Sequence, residues 1–205
     1  MWVSSGIAVR GSWLRSAAVA VAATATLLLS ATAADAHIPV LLTSSDTVFG
    51  LRNSPLVTDG TTSFAFYGRT GFPGDTRAVR IGLTAGQQFH AELLIPDLAP
   101  ENGLPDRLLP RMGVISPDGR FTLLANTDRT SFFEPFTQTA YLTLAETTTV
   151  ATPGIYDIVV VGVAPTRFVA VTGQVEQFTA AIQNATVASL ADVQTWYSTP
   201  PVRTR

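Results

Sequence analysis

Between Ser63 and Val171 apolar residues recur at every second position, in short runs separated by Pro and Gly, and this period of two restricts the chain to β-structure. Arg77 to Leu83 sets Val79, Ile81 and Leu83 on one face. After the turn Thr84-Ala85-Gly86-Gln87, the residues Phe89, Ala91, Leu93 and Ile95 share a face while His90 and Glu92 point the other way. The two runs read as a hairpin with one buried face. Its polar face, with His90 and Glu92, is expected to be the more exposed.

Further runs repeat the pattern. Ser63 to Tyr67 is extended and aromatic. Arg111 to Ile115 leads into Ser116-Pro117-Asp118-Gly119, whose Pro, Asp and Gly fit a type I turn, and Phe121 to Leu124 returns from it. Tyr141 to Ala145, Ile155 to Val163 and Arg167 to Val171 complete the set. Val159-Val160-Val161 is apolar on both faces, which predicts a central strand. The segments Pro96 to Pro110 and Asn126 to Thr137 read as loops. Seven or so short strands with Pro/Gly turns predict an all-β antiparallel sandwich or jelly roll. A short helix closes the chain: Ser189 caps it, Asp192 sits three residues on, and Leu190, Val193 and Trp196 or Tyr197 share a face until Pro200-Pro201.

The N-terminal segment has a different character. Arg10 and Arg15 precede the apolar run Ala17 to Leu29, and Ala34-Asp35-Ala36 has the small-x-small pattern of a signal-peptidase site. An uncleaved anchor is the alternative, but the run is rich in Ala and Thr and ends in the cleavage pattern. The expected organisation is a secretory signal over 1–36, a β-sandwich over 37–185, and a helix with a Pro-rich tail over 186–205. The expected location is outside the cytoplasm, at the cell envelope or beyond it, with no transmembrane helix after cleavage.

Composition narrows the chemistry. The chain has no Cys and no Lys, which removes disulfides, thiolate catalysis, Cys-ligated zinc and Schiff-base mechanisms. Net charge is −2, with acids and arginines interspersed, so no basic stripe marks a nucleic-acid partner.

The succession Arg77 to Leu83, Ala85-Gly86-Gln87, a long strand, Ser116-Pro117-Asp118-Gly119 and Pro153-Gly154-Ile155-Tyr156-Asp157-Ile158-Val159-Val160 resembles the bacterial pre-peptidase C-terminal domain. The resemblance spans about Ser63 to Val171 and rests on turns and periodicity. Leu108 to Ile115 lacks the acids usual before the family's second turn, and the Pro96 to Pro110 insert is long. The resemblance implies a jelly-roll-like accessory module without catalytic residues of its own.

Three groups of residues carry candidate chemistry. Cleavage after Ala36 would give His37 a free amine, and with His90, the only other histidine, it makes an N-terminal histidine brace for copper. Asp97, Glu101, Asn102 and Asp106 place oxygen ligands on a Gly/Pro loop, as calcium requires; solvation of an exposed turn is the plain alternative. Phe132, Phe133, Glu134 and Phe136 form an aromatic platform around one acid, suited to a sugar or peptide, or else clip their loop onto the sandwich. No nucleophile motif accompanies them. The sequence therefore predicts a secreted, non-catalytic binding or envelope-associated module with a cell-envelope carbohydrate or protein as partner, and a copper protein using His37 and His90 as the alternative.

Overall fold

A computed structural model describes Met1 and residues 37–177 and 179–202. The chain divides into two units, Met1–Ala34 and Asp35–Arg205; the signal-peptide expectation falls on residues outside those described. Among the described residues no helix is long and apolar enough to cross a membrane.

The second unit is an all-β sandwich. Sheet A has the strand order β1-β3-β11-β5-β9-β8 and sheet B the order β12-β2-β4-β10-β6-β7. Sheet A comprises β1 Ile38–Leu41, β3 Phe64–Thr70, β5 Gln88–Pro96, β8 Thr130–Glu134, β9 Thr139–Val150 and β11 Thr166–Thr172. Sheet B comprises β2 Leu56–Val57, β4 Thr76–Leu83, β6 Arg111–Ile115, β7 Phe121–Leu123, β10 Gly154–Val161 and β12 Ile182–Gln183. Pairing is antiparallel except for β1 with β3 and β2 with β4, which run parallel.

The expected hairpin of Arg77 to Ile95 does not form. β4 pairs with β2 and β10 in sheet B, whereas β5 pairs with β9 and β11 in sheet A. The turn at Thr84 to Gln87, with Gly86 at φ +80°, carries the chain across the sandwich. The burial faces nevertheless hold, because Val79, Ile81, Leu83, Phe89, Ala91, Leu93 and Ile95 all enter one inter-sheet core. Alternation states which residues face inward, and the same alternation serves two strands side by side or two strands facing each other.

The Ser116–Gly119 turn is as read. Gly119 N–H donates to Ser116 O at 2.8 Å with Gly119 at φ +83°, and β6 pairs with β7 beyond it. β10 lies between β4 and β6 with Val159 and Val160 buried, which is the central position predicted. The expected loop Asn126 to Thr137 instead contains β8, and β9 runs well past Ala145 to Val150.

A second apolar cluster lies on the outer face of sheet A, where Ala65, Tyr67, Leu94, Tyr141, Val169 and Val171 meet Val193 and Trp196 of the helix α1, Leu190–Ser198. The Ser189–Asp192 capping box starts this helix. Arginines close its other end: Arg69 donates to Trp196 O at 3.1 Å, and Arg167 donates to Tyr197 O. Cations at carbonyls left unpaired by a helix C-terminus are favourable both as donors and against the helix dipole.

Candidate functional site

The β8–β9 hairpin sorts the four platform residues into two roles. Side chains alternate across β8, so Phe132 turns to the outer face of sheet A, where it packs against Tyr141 with ring centroids 6.5 Å apart. Glu134 is also buried, and its carboxylate accepts the Phe136 N–H at 3.0 Å. Thr137 and Thr139 hydroxyls meet at 2.5 Å, and Gln138 takes the left-handed conformation at φ +56° while donating to Pro135 O. The turn is thus fixed from inside. Phe133 and Phe136 are left in solvent, 55% and 47% exposed. Phe132 and Glu134 clip the turn to the sandwich, and Phe133 and Phe136 are the two rings left exposed.

Behind this tip, Tyr141 meets Tyr197 edge-on at 5.4 Å, and burial raises the Tyr141 phenol to about 12. The neighbouring Tyr67 phenol is raised further by burial. Both stay neutral at physiological pH and serve packing, and the Tyr141 hydroxyl accepts from the Thr139 hydroxyl at 3.0 Å.

The calcium candidates do not converge. Glu101 is fully buried and bound to Arg167, with Oε2 at 2.6 Å from Nη2 and Oε1 accepting both Nε and the backbone N–H of Arg167 at 2.8 Å. Asp106 pairs with Arg129 at 2.7 Å, and Asp97 accepts from the Asn102 amide at 3.1 Å. Arg129 also donates to the carbonyls of Asn102 and Leu104. Two of the three carboxylates are thus already paired with guanidinium groups. The insert is tied down by arginines, a pairing that sequence spacing could not reveal because Glu101 and Arg167 lie 66 residues apart.

The histidines lie in one row of sheet A but not together. His37 precedes Ile38, which is paired with Phe64; Phe64 pairs with Thr172, and Thr172 with Ala91. Three strand spacings, about 14 Å, therefore separate the two backbones. His37 Nδ1 meets the Ser63 hydroxyl, whereas His90 Nδ1 turns the other way to the Thr148 hydroxyl at 2.9 Å. Among the described residues no group of three His, Cys, Asp or Glu is placed to hold a metal ion.

His90 differs from expectation in being buried, 7% exposed, although Phe89 faces the core as predicted. Desolvation lowers its pKa, partly countered by Glu146 with an oxygen 3.9 Å from Nδ1. Thr148 and Glu146 both approach the same nitrogen. A hydroxyl nucleophile relayed through histidine needs the acid on one ring nitrogen and the hydroxyl on the other, so this group is not a triad. Glu92 lies directly across from Glu146, and burial raises its pKa against a 2.7 Å hydrogen bond from Thr143.

Two concavities escaped the sequence reading. One of about 380 Å³ lies beside α1, lined by Leu41, Arg69, Arg77 and Trp196. Another of about 600 Å³ lies between the insert and β7, lined by Arg107, Arg111, Leu123 and Asn126. Neither includes His90, Glu92 or Glu146. Comparison with family models and with curated proteins gave no match to the chain.

Proposed function

We infer that this protein is a secreted, non-catalytic binding module of the cell envelope that holds a carbohydrate or peptide on the tip of the β8–β9 hairpin. The observation carrying this reading is the solvent position of Phe133 and Phe136 on a turn held by the buried Glu134. Exposed aromatic rings supply contact area, and a turn fixed in advance loses little entropy when a ligand orders it. The signal-like segment before His37 and the resemblance to pre-peptidase C-terminal domains support an exported accessory role.

The test is retention of the purified protein on insoluble cell-wall glycan, compared with the F133A/F136A double variant. Both rings are exposed, so the variant keeps the wild-type melting temperature. Retention should fall at least about tenfold, corresponding to roughly 1.4 kcal/mol. Equal retention by the two proteins, or none by either, removes the glycan reading. Mass spectrometry of the exported chain should place its first residue at His37.

A further inference from the structure

Sheet A is bordered by β8 along only part of β9. The pairing of β8 covers Thr139 to Thr143, and the next carbonyl, that of Leu144, accepts the Thr127 N–H at 2.7 Å. From Ala145 to Val150, β9 keeps β5 on one side. On the other side the described residues provide no strand.

The register shows which backbone groups this leaves. Ala151 N–H donates to Gln87 O at 2.8 Å, marking those two as a hydrogen-bonded pair. In an antiparallel ladder such pairs recur at every second residue. Following the register of β5 with β9, they are Thr149 with Phe89, Thr147 with Ala91, and Ala145 with Leu93. Glu146, Thr148 and Val150 therefore turn their N–H and C=O groups to the open side. Leu144 shares that parity, and its carbonyl does meet a partner from that direction. All three residues are exposed, Val150 at 69%.

We propose that this edge receives an extended peptide segment of a partner protein, which adds to sheet A in line with β8. Only a polypeptide in extended form offers donors and acceptors at the two-residue spacing of the Glu146, Thr148 and Val150 groups. The side chains of the added strand alternate between two environments. Inward ones meet a slot of about 150 Å³ between the sheets, lined by Phe89, Val114, Leu124 and Tyr156 together with Arg120 and three threonines, which suits one medium-sized side chain with an apolar body. Outward ones lie beside the exposed carboxylate of Glu146, which favours a cation or a hydroxyl.

These features favour a partner over the other occupants. Two β9 edges paired antiparallel would offer the slot only the threonines Thr147 and Thr149 of the second copy, which fill its apolar part, Phe89, Val114, Leu124 and Tyr156, less well than a larger apolar side chain. The inference rests on backbone groups at the opposite end of β9 from Phe133 and Phe136, so it stands or falls separately from the hairpin-tip reading.

The experiment uses a fluorescein-labelled nonapeptide that alternates valine with threonine and ends in two arginines. Anisotropy should report saturable binding, and amide exchange should slow at Glu146, Thr148 and Val150. Thr148→Pro and Val150→Pro each remove one open-side donor without touching the β5 ladder, and each should weaken binding about tenfold. The same peptide N-methylated at both its valines and its threonines should not bind, because in either strand direction this removes the N–H groups that face β9, which keeps the test valid if a proline variant misfolds. F133A/F136A should bind the peptide normally. Absence of peptide binding overturns the proposal, as does binding that leaves those three amides unprotected. It is also overturned if the amides are protected in dilute protein without peptide, which would assign the edge to this chain's own segment. Protection that grows with protein concentration alongside a dimer in sedimentation would assign it to a second copy.

Discussion

Glu101 and Arg167 form the most consequential pair of side chains in the molecule. Both are buried, 0% and 1% exposed, and Arg167 also donates to Ala99 O and Tyr197 O, so one guanidinium joins the insert, β11 and the end of α1. Removing one member of a buried pair leaves an uncompensated charge, which costs about 3–5 kcal/mol. Glu101→Ala should therefore lower the unfolding free energy by about that amount in a urea titration; a loss near zero would mean that water reaches Arg167. His90 gives a second residue-level expectation. Its pKa is lowered in the folded state, so the unfolded chain binds more protons as pH falls through 6.5, and the stability contribution present above that pH is lost below it. Melting temperature should decline from pH 7 toward pH 5, and His90→Gln should flatten that part of the profile. The nearby acids oppose it: Glu92, its pKa raised by burial, becomes stabilising as it is protonated, and the charge of Glu146 favours the charged imidazole. Neither histidine burial nor the Glu101 pairing was legible in the sequence, because each depends on strands brought together from distant positions.

At the level of elements, turns were read more reliably than neighbours. The Ser116–Gly119 turn, the Ser189 cap and the central place of β10 follow from local chemistry and short-range pattern, and all are observed. β1, β2, β8 and β12 were not anticipated. They are two to five residues long, and in β8 the sequence Thr130-Ser131-Phe132-Phe133-Glu134 has no regular alternation. One glycine decides how β11 ends. Gly173 sits at φ +71°, and a Cβ there would lie 2.0 Å from Thr62 O, a backbone atom with little room to move. Gly173→Ala should thus lower stability by more than the roughly 1 kcal/mol expected at an unstrained site. Thermal denaturation of the variant checks this, with Gly74→Ala as the comparison: its Cβ meets open space, although Gly74 also has a positive φ of +84°.

For the whole molecule, the outer face of sheet A is the decisive surface. Tyr67, Leu94, Tyr141, Val169 and Val171 are buried there under Val193 and Trp196, and the Trp196 indole donates to Gly68 O at 3.2 Å. Truncation after Ala188 should expose this apolar face and give a protein that binds hydrophobic dye and aggregates, as light scattering would report; a monodisperse product with unchanged melting would show α1 to be dispensable. The sequence by itself determined the all-β class, the inward-facing residues, the turn chemistry and the C-terminal helix, because period, turn residues and caps act over a few neighbouring positions. It also picked out the Phe132–Phe136 segment, though not its division into anchors and exposed rings. The tertiary structure alone decided that β4 and β5 lie in different sheets and that His37 and His90 stand three strands apart. It decided too that Glu101 and Asp106 of the insert meet arginines, and that among the described residues half of β9 has a strand on one side only. Each of these is a matter of which distant segments become neighbours, and strand alternation carries no information about the identity of the neighbour.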